Sequence, residues 1–329
     1  MTQKSDPNYW KKGLSNSRLL LVLVTILLFM AVYSPSFVGP GNLINLLSYI
    51  SINGMLAVGM TLLMISREFD ISIGSVVVLA GVISIHLIDY VGAPWAIVLG
   101  TGIGMGTGAF NGLLVVRLGI NSFIATLGSM VIFQGLAFAL TDMRSIATES
   151  ATFHRFSSET WWGLPLPVLY FFALSVIIWF ISRFTLLGKH AYAIGGSPEA
   201  CHLMGIPVGR QKLIFFVITG TIAAFSGVVL ASRLNSASAV FGENIALVVI
   251  AAFVIGGVHL SGGTGTVGGV VQGVLQLGLL ENVTVFLEVS DYYQRFFRAL
   301  VVIGVVVFDV LYVRYNNFTI QRQLKRLES

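Results

Sequence analysis

A gap in the charge pattern constrains this chain more than any other feature of its sequence. No Asp, Glu, Lys or Arg occurs between Arg18 and Arg67, and this stretch is too long for one membrane span of about 20 residues. It is interrupted by residues 34–41, which read SPSFVGPG. Because clustered proline and glycine indicate a loop, the pattern predicts two membrane helices, one on each side of that loop.

The rest of the chain extends this pattern to about ten transmembrane helices. Only 10% of the residues are charged and 56% are hydrophobic, whereas soluble domains carry about 25% charged residues. The stretch from Asn244 to Leu280 has no full charge and is split by Gly262 and Gly263 into two short spans, the eighth and ninth. The fold class is therefore predicted to be an all-α membrane protein with one transmembrane domain over residues 1–329. The remaining spans are predicted at 71–88, 94–116, 122–140, 167–181, 213–231 and 296–313.

The distribution of basic residues predicts the topology. Ten spans place both termini on one side of the membrane, and cytoplasmic loops carry an excess of Lys and Arg. With cytoplasmic N- and C-termini, 14 of the 19 basic residues are cytoplasmic. Residues 1–17 and 314–329 then form cytoplasmic tails, 141–165 a periplasmic loop and 182–212 a cytoplasmic loop. The five basic residues on the outer side are Arg144, Arg155, Arg233, Arg295 and Arg298.

The sequence contains no catalytic or nucleotide-binding motif. No two histidines lie at the i, i+4 spacing of a zinc site, and the chain lacks the G-x-x-x-x-G-K-[ST] phosphate loop. Its one cysteine, Cys201, has no recognisable partner. The chain is therefore predicted not to be an enzyme and to bind no metal or cofactor. Its basic residues sit at the edges of apolar runs and form no face or stripe, which argues against nucleic acid and favours membrane lipid.

Two groups of glycines are predicted to have structural roles. Residues 100–112 read GTGIGMGTGAFNG, and a helix through them offers a smooth face at Gly104, Gly108 and Gly112. Small residues of this kind allow close packing of membrane helices. Gly262 and Gly263 are interpreted as a tight turn, because glycine adopts the backbone angles that such a turn needs.

Uncharged polar residues inside the predicted spans suggest a path for a neutral solute. Their side chains can bind solute hydroxyls, or equally well bridge neighbouring helices. Most charged residues lie at helix ends, with Glu281 and Asp309 as exceptions, and these two keep an ion-coupled secondary carrier open as an alternative. The candidate path residues are Asn53, Thr61, Phe123, Thr126, Gln134 and Gln272.

The 182–212 loop contains a predicted short helix. Ser197 is suited to the N-cap position, Pro198 to the first helical position and Glu199 to the first turn. Gly205 suits the end of the helix. Such a helix is either an ordinary surface helix or a helix on which a cytoplasmic partner docks.

Four stretches of the sequence resemble the permease subunits of ribose-type ABC importers for simple sugars. Arg67 and Glu68 depart from that pattern, because the family usually has small residues there. Thr264 stands where a basic residue is common, and Gln134 where arginine is frequent. The four stretches are 59–75 (GMTLLMISREFDISIGS), 121–128 (NSFIATLG), 188–206 (GKHAYAIGGSPEACHLMGI) and 254–267 (VIGGVHLSGGTGTV).

The resemblance implies a pore subunit of the bacterial inner membrane that translocates a monosaccharide or similar small polyol. It implies a second permease subunit, identical or related, and a periplasmic sugar-binding protein. It also implies a cytoplasmic ABC ATPase that docks on a coupling helix. A permease for a branched-chain amino acid or a furanosyl signal molecule remains an alternative. The coupling-helix residues are Ser197, Pro198, Glu199, Ala200 and Gly205.

Overall fold

The computed structural model describes residues 24–242, 245–259 and 262–290. Beyond these it describes residues 292–294, 296, 299–300, 303–304 and 307. Both predicted tails, most of the predicted tenth span, Asp309 and the predicted start of the first span lie outside the described residues.

The described chain is almost entirely helical, with four two-residue strands. Strand β1 pairs antiparallel with β4, and β2 pairs antiparallel with β3. The strands are β1 (Ile146–Ala147), β2 (Thr160–Trp161), β3 (Leu164–Pro165) and β4 (Ser236–Ala237). The helices are α1 (Val24–Tyr33), α2 (Pro40–Ile65), α3 (Ile73–Val91), α4 (Ala93–Val116), α5 (Ser122–Thr141), α6 (Ala151–Ser158), α7 (Leu166–Phe184), α8 (Leu186–Gly196), α9 (Pro198–Leu203), α10 (Val208–Leu234), α11 (Ile245–Ile255) and α12 (Val267–Phe286), with a 3-10 turn at Pro35–Val38.

Seven of these helices are long and apolar enough to cross a membrane, namely α2, α3, α4, α5, α7, α10 and α12. They coincide with the second to seventh and the ninth predicted spans. The predicted eighth span contains a half-length helix among the described residues. This helix, α11, has 11 residues, which is about 16 Å at 1.5 Å per residue, against a hydrocarbon core of about 30 Å. The described residues thus contain seven candidate spans and two shorter apolar helices, and both the total of ten spans and the orientation of the termini stay predictions.

The connections between the helices gather at two ends of the bundle. One end, called here the Arg67 end, contains the connections 66–72, 117–121, 256–259 and 262–266 together with residues 185–207, which include α8 and α9. The opposite end, called the Trp161 end, contains α6 and the two small sheets. Under the predicted topology the Arg67 end faces the cytoplasm.

Helix α10 packs along α4 through glycines. A Cβ atom on Gly104 would lie 2.6 Å from the Ala224 Cβ, and one on Gly108 would lie 2.8 Å from the Val217 Cα. A Cβ on Gly112 would lie 2.6 Å from the Leu213 Cδ1. The three glycines predicted for packing therefore face α10, and the missing side chains let the two backbones approach closely.

Residues 235–242 form an unwound segment that the sequence did not reveal; it leads from the Trp161 end into the bundle, and α11 lies between it and the Arg67 end. After β4 the backbone runs between α3 and α5, where the Gln134 side-chain amide donates to the Ala239 carbonyl. A Cβ on Gly242 would lie only 2.7 Å from the Val78 Cγ2, beside the first turns of α3. In a bilayer, non-helical backbone is tolerated only where protein buries it or where it lines a water-filled cavity.

Candidate functional site

The short helix predicted near Ser197 is present as α9 at the Arg67 end. Its Ser197 hydroxyl accepts from the Ala200 N–H at 3.2 Å, and Pro198 occupies the first turn. Gly205 follows with a φ of 78° and donates its N–H to the His202 carbonyl at 3.0 Å. Helices α8 and α9, with residues 185–207 in all, are called the α8–α9 segment.

The surface of α9 combines a carboxylate with exposed apolar side chains. Leu203 is 89% exposed and Met204 is 68% exposed, whereas Cys201 is buried. A hydrogen bond from its own backbone N–H lowers the pKa of Glu199, and the Ser197 hydroxyl, 3.2 Å from the carboxylate, acts in the same direction. Glu199 is therefore ionised at neutral pH, and it lies next to the exposed apolar side chains of Leu203 and Met204 at the tip of α9.

The loop between α2 and α3, residues 66–72, binds the α8–α9 segment. Arg67 donates from Nε to the Gly195 carbonyl at 2.6 Å and from Nη2 to the Gly196 carbonyl at 2.9 Å. The turn predicted at Gly262 and Gly263 is part of the same contact, because the Gly263 N–H donates to the Ile65 carbonyl at 2.8 Å. A Cβ on Gly262 would lie 2.9 Å from the backbone nitrogen of Arg67, so the turn lies directly against the start of this loop.

The same loop is also bound to α5 and α10. Glu68 forms a largely buried ion pair with Lys212 in the first turns of α10. The Phe69 N–H donates to the Ser122 hydroxyl at 3.2 Å, and the Ile71 N–H donates to the Thr126 hydroxyl at 3.1 Å. Polar side chains near the ends of two helices therefore hold the loop in place.

Asp70 connects the loop to α4 and is buried, with 1% of its surface exposed. Its carboxylate accepts from the Ser72 N–H at 2.9 Å and the Ser72 hydroxyl at 2.6 Å. The Asn111 amide approaches the same carboxylate at 3.3 Å and also donates to the Ser72 hydroxyl at 2.8 Å. Burial raises the pKa of Asp70, while the hydrogen bonds from Ser72 and Asn111 oppose that shift.

Replacing Asp70 with asparagine is expected to stabilise the protein at alkaline pH. Because the folded-state pKa of Asp70 is raised, its contribution to stability is present at low pH and is lost as the pH rises through the folded value. Asp70→Asn removes this loss, and the Asn111 Oδ1, buried and without a partner among the described residues, gains a donor. We expect a melting temperature in detergent a few degrees above that of the wild type at pH 8, with the difference shrinking as the pH falls through the folded-state pKa of Asp70 towards its ordinary value.

Asp70→Ala is the matched control for that measurement. It removes the acceptor for Ser72 and Asn111 in a buried place, which costs about 1–3 kcal/mol, so its melting temperature should fall at every pH. If Asp70→Asn were as unstable as Asp70→Ala at pH 8, the raised pKa would not be what limits stability at this position.

The structure separates the candidate path residues into two groups. Thr61 and Thr126 are buried, and their hydroxyls donate to carbonyls one turn earlier in their own helices. Asn53 lines a cleft between α2, α11 and α12, while Gln134 contacts the unwound segment. Phe123 is half exposed on α5, and Gln272 is half-buried on α12. Thr126 therefore belongs with the 66–72 loop, whereas Asn53 borders the cleft between α2, α11 and α12.

Sequence reasoning missed three residues that hold the 66–72 loop, namely Asn111, Ser122 and Lys212. Each stands near a helix end, where polar residues are common, so no local signal sets it apart. In the part of the chain that the structure describes, no group of His, Cys, Asp and Glu side chains could hold a metal ion.

Seven apolar helices make this a polytopic membrane protein, and a span that is interrupted within the bundle is a common feature of membrane transporters. The family profile described as "Branched-chain amino acid transport system / permease component" matches residues 42–306. The chain belongs to this family and is a permease component rather than an enzyme.

Curated relatives agree with this assignment along nearly the whole chain. The L-arabinose transport system permease protein AraH of Escherichia coli (strain K12) is 36% identical over 292 residues, covering 88% of this chain and 89% of the relative. The ribose import permease protein RbsC of Bacillus subtilis (strain 168) is 36% identical and covers 88% and 91%. RbsC of Escherichia coli (strain K12) is 33% identical and covers 92% and 95%. These relatives confirm the resemblance to ribose-type permeases, and no solved structure matches the chain.

Proposed function

We propose that this chain is the membrane pore subunit of an ATP-binding-cassette importer for an arabinose- or ribose-type monosaccharide. The observation that carries the proposal is 33–36% identity over about nine-tenths of the chain to permeases named for L-arabinose and ribose. Those relatives come from bacteria, which supports a place in the bacterial inner membrane.

The exposed apolar tip of α9 supports coupling to a separate ATPase. Leu203 and Met204 lie outside the bundle with most of their surface uncovered. Burying side chains of this size is worth about 1.5–3 kcal/mol each, so a partner subunit gains binding energy by covering them. The positive-inside pattern supports a cytoplasmic position for the Arg67 end, which is the side where ATP is available. The capped helix formed by Ser197, Pro198, Glu199 and Ala200, closed by Gly205, is therefore the proposed coupling helix.

The region around the unwound segment, residues 235–242, is the proposed translocation path. Sites in membrane transporters often lie where a helix is interrupted within the membrane, and here Gln134 on α5 contacts the interruption. Asn53 faces the neighbouring cleft, and Gln272 and Phe123 complete the proposed set. Amide groups pair well with sugar hydroxyls and carry no charge, which suits a neutral solute. A second permease subunit would close the path from the other side.

The Trp161 end is the proposed docking surface for a periplasmic sugar-binding protein. Helix α6 is fixed to α10, because the Ser232 hydroxyl donates to the Phe153 carbonyl at 2.5 Å. Trp161 and Trp162 stack with ring centroids 5.7 Å apart on the exposed β2–β3 hairpin. Because α6 is held against α10 in this way, a partner can dock on this surface without a change in its conformation.

Reconstitution tests the proposed function. The chain is placed in proteoliposomes with its cassette ATPase and sugar-binding protein, and uptake of radiolabelled L-arabinose and ribose is followed. We expect uptake only with ATP and the ATPase, unaffected by collapsing proton and sodium gradients. Gradient-driven uptake by the chain alone would establish the ion-coupled carrier instead. Uptake of labelled leucine but neither sugar would establish an amino-acid permease.

A further inference from the structure

We propose that the 66–72 loop is the mechanical link between the α8–α9 segment and the membrane helices, with Arg67 as its positioning residue. The inference rests on the proposed function, because it concerns how a push from an ATPase on α9 reaches the bundle. Arg67 and Glu68, which depart from the family pattern, make the two side-chain contacts at the start of this link: hydrogen bonds to the carbonyls of α8 and an ion pair with Lys212.

On the side of the α8–α9 segment, Arg67 binds the last two carbonyls of α8, Gly195 and Gly196, which directly precede Ser197 of the proposed coupling helix. These carbonyls are the negative end of the helix dipole, so a guanidinium is favoured there. The contact is also sterically tight, because a Cβ on Gly195 would lie 2.5 Å from the Gly263 nitrogen. Displacement of α9 therefore moves Arg67 with it.

On the side of the bundle, the next four residues of the loop reach three different helices. Glu68 pairs with Lys212 of α10, Asp70 is hydrogen-bonded to Asn111 of α4, and Phe69 and Ile71 donate to α5. A loop bound at every residue cannot absorb a displacement by bending between its attachments. It passes the displacement to α4, α5 and α10 together, and α5 carries Gln134 of the proposed path.

Arg67 also adopts a φ of 68°, a left-handed conformation that is uncommon for a residue with a side chain. The contacts on both sides of the residue hold it in that conformation. A small residue at this position would leave the Gly195 and Gly196 carbonyls without the guanidinium, and a neutral residue in place of Glu68 would leave Lys212 without its partner.

The test compares Arg67→Ala, Arg67→Lys and Arg117→Ala in the complete transporter with its ATPase and binding protein. Arg117 is an exposed arginine of the same end, at the C-terminus of α4, and serves as the matched control. Three quantities are measured for each variant: copurification of the ATPase, ATP hydrolysis, and uptake of radiolabelled L-arabinose and ribose.

For Arg67→Ala we expect the ATPase to remain bound and to hydrolyse ATP while uptake falls about tenfold, within the ~5–150-fold range of typical coupling between sites. Arg67→Lys should recover part of the uptake, because lysine keeps the charge but loses the forked donor geometry. Arg117→Ala should behave as the wild type. Full uptake by Arg67→Ala would overturn the inference, and so would loss of the bound ATPase, which would make Arg67 a docking residue.

Exchanging the charges of Glu68 and Lys212 provides a second, independent test. Glu68→Lys and Lys212→Glu should each lower uptake with ATP hydrolysis maintained, and the double variant should restore it. Failure of the double variant to exceed both single variants would count against a link through this pair. If the wild-type complex itself shows no ATP-dependent uptake, the proposed function fails, and that outcome is distinct from all of those above.

Discussion

Gly108→Val is expected to have a severe effect on folding, because it places a side chain where α4 touches the backbone of α10. A Cβ at this position would lie 2.8 Å from the Val217 Cα and 2.9 Å from the Phe216 carbonyl carbon. Both are backbone atoms in the middle of a 27-residue helix, so neither can rotate away as a side chain could. Overpacking in a well-packed core costs about 1–3 kcal/mol and sometimes more, and a rigid backbone neighbour places this variant at the upper end.

The expected measurement is a loss of most of the monodisperse protein in detergent by fluorescence-detected size-exclusion chromatography, with a lowered melting temperature in the remainder. Gly106→Val is the matched control, two residues away on the same helix, because a Cβ on Gly106 meets nothing within 4 Å. Gly106→Val should fold as the wild type does. Equal behaviour of the two variants would mean that the α4–α10 contact is not set by these glycines.

Gly195→Ala is expected to abolish most transport while leaving the protein inserted in the membrane. An added Cβ would overlap the Ile65 carbonyl oxygen and lie 2.5 Å from the Gly263 nitrogen, two groups that are hydrogen-bonded to each other. The methyl group therefore separates α8 from the end of α2 and pulls the Gly195 carbonyl away from Arg67. We expect uptake of L-arabinose or ribose to fall by at least about tenfold, as for the loss of a typical coupling free energy.

The neighbouring residue supplies the control for Gly195→Ala. A Cβ on Gly196 meets nothing within 4 Å, and its carbonyl still accepts from Arg67 after the change. Gly196→Ala should therefore transport normally, although it alters the same end of α8. Normal uptake by Gly195→Ala, with the ATPase bound, would show that transport does not require the close contact between α8 and the end of α2.

Much of the architecture was predictable because its signals are local. The spacing of charges located α2 to α5, α7, α10 and α12, since a bilayer imposes the same length and polarity on every span. The α9 helix followed from Ser197, Pro198 and Glu199, because capping involves only neighbours along the chain. The smooth face of α4 followed from the spacing of its glycines.

Tertiary structure alone decided where the chain departs from uniform spans and which polar groups meet. The length of α11 and the path of residues 235–242 depend on α3 and α5, which bury backbone that lipid would not accept. The sequence left Thr126 open as a path residue or a contact between helices, and only the structure shows that its hydroxyl accepts from Ile71, 55 residues earlier in the chain. Arg67 and Glu68 stood out in the sequence only as departures from a pattern, because their partners at Gly195 and Lys212 are more than a hundred residues away. Hydropathy is a property of a segment, whereas a hydrogen bond between distant segments exists only once the helices have packed.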